Sequence, residues 1–239
     1  MKFVSFLTVA GEERAGLIVD DTTVDLAQGA AKLGLQLPTT MAGLLAQWSK
    51  ILPVARHVET AFRDKKGIAP VSGAKPLAPV PHPTSCRDGY AFRQHVATAR
   101  RNRGVDMIPE FDQYPVFYFT NHNSICGEGD VIVESDHLQK LDFELECAIV
   151  IGKPGRNITS VEADSYIAGF MVMNDLSARV LQMEEMLLSL GPAKGKDFAT
   201  SVGPWLVTPE ELEPFRVSTP YGSTYRLRMT AFHNDKQVS

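Results

Sequence analysis

The sequence predicts an α+β, β-rich fold, and three observations lead there. Short β-prone runs punctuated by turn residues open the chain, a proline-rich stretch follows two helix-patterned segments, and strand-like runs recur between positions 116 and 232. At 239 residues the chain has room for one large domain or for a main domain with a small companion.

Taken in order, Lys2–Val9, Arg14–Val19 and Thr23–Leu26 read as a meander of small strands, broken at Gly11-Glu12 and Asp20-Asp21-Thr22. Thr40–Ser49 and Val54–Phe62 carry helical spacing, with Leu44, Leu45 and Trp48 on one stripe and Val54, Val58 and Phe62 on another. These segments make a small N-terminal domain, residues 1–69. Five prolines between Pro70 and Pro83 leave no stretch able to hold a regular ladder, so 70–83 is a linker. Residues 84–239 form the second domain. Within it Asp88–Arg101 is a predicted helix, with Asp88 as its cap and Ala91, Ala97 and Ala99 favouring the helical state. Val116–Thr120, Asp130–Glu134, Phe143–Ile151, Ile167–Met173, Trp205–Val207 and Tyr225–Phe232 are predicted strands, and Ser177–Leu190 a helix ended by Gly191-Pro192. The four residues after the Asn234-Asp235 turn are too few to pair the strand before it. That edge is expected to be covered elsewhere, or the domain to lack its C-terminal part.

Hydrophobic residues make up 44% of the chain and charged residues 22%, the composition of a soluble globular protein. No apolar run approaches the roughly 20 residues of a membrane span. A net charge of -4, with no basic block, argues against a nucleic-acid partner. The N-terminal apolar stretch is interrupted by Ser5 and Thr8 and reads as a strand rather than a signal peptide. Cys86, Cys126 and Cys147 show neither metal-site spacing nor disulfide density, which fits a reducing cytoplasm.

Four segments carry chemistry. In Leu141-Asp142-Phe143-Glu144-Leu145-Glu146 three acids recur at every second position, so on a strand they share one face, with Phe143, Leu145, Cys147 and Ile149 turned the other way into a core. Like charges side by side need water, a basic partner or a cation, leaving a solvated face and a metal site as the two readings. Asp175, in Asn174-Asp175-Leu176-Ser177, lies where a strand gives way to a helix, as a ligand or, like Ser177, as an N-cap. Arg179 and Gln182 follow three residues apart on one helix face. Asp88 and His95, seven residues apart, return to nearly one face after two helical turns, and an imidazole beside activated water is a candidate general base. Lys196 sits in the loop Gly191–Thr200, which lacks phosphate-loop spacing; a lysine there either neutralises an oxyanion or is simply solvated.

Together these segments, with Arg87-Asp88-Gly89-Tyr90 and Gly195-Lys196-Asp197-Phe198-Ala199-Thr200, resemble the fumarylacetoacetate hydrolase family over most of the stretch from Pro83 to Ser239. The resemblance implies a rolled mixed sheet with a divalent cation in its mouth, held by Asp88, Glu144, Glu146 and Asp175. An all-oxygen set suits Mg²⁺ or Ca²⁺, with Mn²⁺ a further candidate. It implies His95 as the base that activates water, and Arg179, Gln182 and Lys196 as the groups that bind a dicarbonyl acid and stabilise the departing carbanion. Tyr90, Tyr118 and Thr200 fall at substrate-contacting positions, and a homodimer is implied. The sequence departs from the family where an expected arginine falls on Gly104 and a tyrosine on Met186. The family's later strands, with the glutamate that orients the histidine, have no counterpart, and Glu110 or Glu128 are the candidates to replace that glutamate. The implied function is metal-dependent hydrolysis of a carbon–carbon bond in a fumarylacetoacetate-like or acylpyruvate-like 1,3-dicarbonyl acid, as in aromatic compound catabolism. Alternatives are a decarboxylase, hydratase or isomerase acting on a related 2-oxo acid, and a non-catalytic cation-binding module.

Overall fold

The structure is a computed structural model describing residues 1–239. Its N-terminal meander is β1 (Lys2–Leu7), β2 (Glu13–Val19) and β3 (Thr22–Asp25), antiparallel throughout, followed by helix α1 (Leu26–Lys32). Asp25 caps α1 by accepting from Gln28 N and also takes two bonds from Arg14, so one buried carboxylate ends a strand and starts a helix. Helix α2 (Met41–Leu45) is capped by Thr40. Where sequence spacing gives two helices of similar length, the structure has this one turn and then a continuous α3 (Trp48–Arg63) running through Pro53. Proline costs the helix one hydrogen bond, but the burial of Trp48, Ile51, Ala55, Val58 and Ala61 along one stripe outweighs it.

The proline-rich stretch holds a short edge strand, β4 (Lys75–Pro76), paired with β1 at Phe6 and Leu7, against the expectation of no ladder. Proline is tolerated at such an edge because it need not donate there. Next come β5 (Cys86–Gly89), helix α4 (Arg93–Asn102), β6 (Phe117–Thr120) and β7 (Ile125–Cys126). The predicted helix over Asp88–Arg101 is thus corrected: Asp88 lies on a strand paired with Tyr118, not on a helix face with His95, and it caps nothing. The consecutive aromatics Phe117, Tyr118 and Phe119 supply β5 with a partner, and a Cβ at Gly89 would lie 2.8 Å from Val116 O. Asp130–Glu134 forms no strand.

Then follow β8 (Leu141–Asp142), β9 (Leu145–Ile151), the short α5 (Ser160–Ala163), β10 (Ile167–Asp175), β11 (Ser177–Ala178), α6 (Arg179–Leu187) and β12 (Thr200–Val207). Two small hairpins close the chain, β13 (Arg216–Thr219) with β14 (Gly222–Tyr225) and β15 (Phe232–His233) with β16 (Lys236–Gln237). The predicted strand Tyr225–Phe232 is therefore split, and the residues after Asn234-Asp235 do pair, but only as a minimal hairpin.

One sheet joins the N-terminal meander to the later strands, in the order β3-β2-β1-β12-β10-β9, with β4 on β1 and β7 parallel to β12. Its core packs Phe3, Leu17, Val24, Met41, Leu44, Val58 and Leu206, with the Phe3 and Trp48 rings 4.7 Å apart, and continues through Ala168, Met171, Met173 and Val202. The register of β10 against β12 shifts between Phe170 and Val172, opposite Gly203, whose φ of +149° suits glycine. Beyond that bulge Asp175 pairs with Thr200, at the mouth of the site.

Candidate metal and substrate site

Asp175 ends β10 and Glu146 sits on neighbouring β9, where Met173 is its cross-strand partner. Asp88 arrives from the separate β5–β6 ribbon. Carboxylate oxygens of Asp88, Glu146 and Asp175 all lie within 4.8 Å of one another. The ribbon is tied to this point by Tyr118, whose hydroxyl is 2.9 Å from Asp175 Oδ2 and 3.1 Å from Asp88 Oδ2. Farther along, Asn121 Nδ2 and Ser124 Oγ both donate to the carbonyl of Asp197, just past Lys196.

Glu144 lies beside this triad rather than inside it. Its backbone is clamped by Asn174 Oδ1, which accepts from Glu144 N, and by Asp175 N, which donates to Glu144 O. Its two oxygens face cations: Oε1 is 2.7 Å from Arg179 Nη1 and Oε2 is 2.8 Å from Lys196 Nζ. Arg179 is itself anchored by Asp142 Oδ2, 2.7 Å from both Nε and Nη2, and donates to Gln182 Oε1 at 3.0 Å, as their three-residue spacing predicts. Lys196 is buried with its ammonium 2.6 Å from Asp175 Oδ2, so the reading of a solvated lysine is set aside. Neither Asp175 nor Ser177 caps α6, which has no side-chain cap; Ser177 Oγ donates back to Asp175 O.

Electrostatics separates the acids. Burial, and then the charges of Asp88, Glu144 and Asp175, push the Glu146 carboxyl up to about 8. Burial raises Asp175 to about 6, with Lys196 and Tyr118 opposing it. Burial also works against ionisation of Glu144, but Lys196 and Arg179 prevail and hold it below the usual carboxylate range. Burial, and then Asp175 and Asp88, drive the Tyr118 phenol far above its ordinary range, so it is a donor.

The triad fits a hard divalent cation. Asp175 Oδ1 is buried without a hydrogen-bond partner, as is Thr200 Oγ1 across the ladder, and Glu146 is under strong like-charge pressure that a cation relieves. A cavity of about 290 Å³ lined by Tyr118, Thr120, Asn121, Ala193 and Asp197 adjoins the site. His95 is not among the clustered groups of the triad. It is exposed on α4 in an open cleft with Phe92, Gln94 and Thr98, makes no side-chain hydrogen bond, and has neither Glu110 nor Glu128 as a partner. Tyr90 is 52% exposed.

The sequence predicts Asp142, Glu144 and Glu146 on one face of a single strand; in the structure Asp142 ends β8, Glu144 lies between strands and Glu146 is on β9, and only Glu146 of the three belongs to the triad. Sequence spacing also misassigned the other side: Cys147 and Ile149 are exposed, whereas Ala148 and Val150, which share the parity of Glu146, pack on the core. Both faces of β9 are apolar beyond Glu146, so alternation alone carried no sidedness. Glu185 was missed. Its signal would have been an acid on the helix facing a loop rich in free backbone N–H groups.

Residues 84–239 match the family model described as fumarylacetoacetate (FAA) hydrolase C-terminal. The chain belongs to the fumarylacetoacetate hydrolase family. It is 26% identical over 219 residues to a Dictyostelium discoideum homologue of fumarylacetoacetate hydrolase domain-containing protein 2, covering 89% of this chain and 66% of that one. Identity to a fumarylacetoacetase of Oryza sativa subsp. japonica is 33% over 191 residues, covering 70% and 43%. To the oxaloacetate tautomerase YisK of Bacillus subtilis it is 29% over 235 residues, covering 92% and 74%. The chain thus spans less than two thirds of the length of the first two of these relatives. Among solved structures, maleylpyruvate hydrolase from Sphingobium sp. SYK-6, in complex with manganese (II) ion and pyruvate, shares the fold. Its TM-score is 0.59 at 17% identity, covering 88% of this chain and 68% of that one. Members of the family therefore include hydrolases and tautomerases, and at least one structural neighbour holds a divalent metal. No helix here is long and apolar enough to cross a membrane.

Proposed function

We propose that this chain is a divalent-cation-dependent hydrolase that cleaves a carbon–carbon bond in a fumarylacetoacetate-like or acylpyruvate-like 1,3-dicarbonyl acid. The observation that supports it best is the adjacency of two unlike charge clusters: the triad Asp88, Glu146 and Asp175, and the cations Lys196 and Arg179 paired across Glu144. The triad, with Glu144 as a neighbouring fourth oxygen donor, would hold Mg²⁺, Ca²⁺ or Mn²⁺, which supplies fixed positive charge for the dicarbonyl oxygens. His95 takes a proton from water, and the hydroxide formed adds to the distal carbonyl. The bond to the central carbon then breaks, and its electron pair delocalises into the remaining 2-oxo acid as an enolate. Lys196 stabilises that developing negative charge, Arg179 binds the carboxylate of the acid, and the proton held on His95 returns to carbon. Gln182 orients the acid beside Arg179, while Tyr90, Tyr118 and Thr200 border the substrate. The cytoplasm, a small-molecule partner and a homodimer complete the reading, with residues 1–69 and 84–239 as its two domains.

A second reading is tautomerisation of a 2-oxo acid, favoured by the Bacillus relative matched along 92% of this chain. It needs the cation cluster and a proton shuttle but no attacking water. The purified chain, loaded with Mg²⁺ or Mn²⁺, is to be assayed for loss of acylpyruvate absorbance with release of two acids, and separately for enol-to-keto conversion of oxaloacetate. His95→Ala is expected to abolish hydrolysis with Mn²⁺ affinity unchanged. Oxaloacetate turnover without acylpyruvate cleavage selects the second reading, and neither activity leaves a cation-binding module.

A further inference from the structure

Lys196 reaches the acids from a loop, and the question is what fixes that loop. Glu185, on α6, points its carboxylate at the loop backbone: Oε2 accepts from Ala193 N at 3.1 Å and Gly195 N at 3.0 Å, and Oε1 from Lys194 N at 2.9 Å. Three successive backbone donors converge on one anion, an arrangement in which each bond is charge-assisted. The loop is pressed onto the same helix at Gly195, where a Cβ would lie 2.6–2.8 Å from Gln182 N, Cα and Cβ, and Gly195 O accepts from Ala178 N. The next residue is Lys196, whose ammonium is buried between Asp175 and Glu144.

We propose that Glu185 is a positioning residue which, by gathering the N–H groups of Ala193, Lys194 and Gly195, delivers Lys196 to Asp175 and Glu144. It thereby locks the lysine loop to the helix that carries Arg179 and Gln182. Glu185 touches no triad carboxylate and does not itself line the adjoining cavity, and it reaches the site through the loop backbone that carries Lys196. The inference rests on the reading of Lys196 as a site residue, but its first readout needs neither metal nor turnover.

The test compares wild type, Glu185→Ala and Glu185→Gln in the full chain. Lys196 acylation by an amine-reactive acetyl ester is followed by peptide mass spectrometry, and amide exchange is followed in parallel. Glu185→Ala is expected to accelerate Lys196 labelling and exchange at 193–195 at least tenfold, with exchange in β1 and β2 unchanged; Glu185→Gln, keeping one acceptor oxygen, falls between. Unchanged Lys196 labelling overturns the proposal, as does acceleration shared equally by β1 and β2, which reports general loosening. The second readout is Mn²⁺ affinity by calorimetry. Lys196→Met, which removes a cation beside a ligand carboxylate, is expected to tighten Mn²⁺ binding about tenfold, Glu185→Ala several-fold, and the double variant no more than Lys196→Met. A Glu185→Ala effect that persists at full size in the Lys196→Met background overturns it. Absence of Mn²⁺ binding in every variant overturns the metal reading of the site instead, and the labelling result then decides this one.

Discussion

Lys196 Nζ lies 2.6 Å from Asp175 Oδ2, and both side chains are buried. Burial opposes the ammonium, but Asp175 and Glu144 more than restore it and raise its pKa above the ordinary lysine value, so Lys196 is a fixed charge and not a free nucleophile. Breaking a buried pair from one side leaves the other charge uncompensated, at a cost of about 3–5 kcal/mol. Lys196→Met is therefore expected to lower the unfolding free energy of the metal-free protein, measured by urea titration, by an amount in that range. Saturating Mn²⁺ should recover much of the loss, because a divalent cation replaces the missing charge. A midpoint that stays unchanged without metal would show that the pair carries no net stability.

The raised carboxyls give the site a pH signature. A folded-state value of about 8 for Glu146, against an ordinary 4.5, means that its stabilising contribution is fully present below about 4.5 and is lost as pH rises through about 8. Asp175 behaves alike, its contribution present below about 3.8 and lost by about 6. The acids titrate as a cluster, so the observable is a broad decline and not two steps. The metal-free protein should lose thermal stability as pH rises from about 4 to about 8. Mn²⁺ must displace those protons, so its affinity should climb between pH 6 and pH 8, by up to about tenfold per unit, and level off above. Glu146→Gln, neutral throughout, should flatten the stability profile and abolish tight Mn²⁺ binding. Calorimetry across this range checks both.

Tyr118 has one phenol proton for two carboxylates, 2.9 and 3.1 Å away, so it serves one while bracing the other. Its hydrogen bond opposes the burial that raises Asp175. Tyr118→Phe should therefore make Asp175 harder to ionise and weaken Mn²⁺ binding about tenfold at pH 7, the usual scale for partners that orient metal ligands. A stability loss of about 1 kcal/mol should accompany it. Unaltered Mn²⁺ affinity would reduce Tyr118 to a wall of the adjoining cavity.

What the sequence made legible follows from the periodicities it contains. Arg179 meets Gln182 because a helix returns after three to four residues, whereas Asp142, Glu144 and Glu146 are not one period-two strand: the chain leaves β8 at Asp142 and enters β9 at Leu145, and Arg179 draws Asp142 and Glu144 together. Asp88 misled because its neighbours read equally well as a helix start; only the distant run Phe117–Thr120, which pairs with it, makes Cys86–Gly89 a strand. The Lys196 contact was invisible for a similar reason. It depends on a loop conformation set by Glu185 and Gly195, and no local pattern encodes where a loop lysine will end. The split of the predicted helix at Ser177 has the same origin, since Ser177 and Ala178 pair with Asp142 and Leu141 instead.

Asp142 supplies the remaining test, because it holds Arg179 without belonging to the triad. Its Oδ2 meets both Nε and Nη2 of Arg179 at 2.7 Å, while Oδ1 accepts from Phe143 N at 2.9 Å. Burial opposes its ionisation, yet Arg179 and the Phe143 amide hold its pKa below the usual carboxylate value. Asp142 is 45% exposed at its side chain, so the pair is screened and Asp142→Asn should cost less than about 1 kcal/mol of stability. Its larger effect should be on Arg179, which loses a two-pronged anchor and with it a fixed orientation toward an anionic substrate. An interaction made equally in ground and transition states shows itself in KM. With an acylpyruvate substrate, KM is expected to rise about tenfold and kcat to change less than about threefold. A fall in kcat at constant KM would instead place Arg179 among the groups that act only on the transition state.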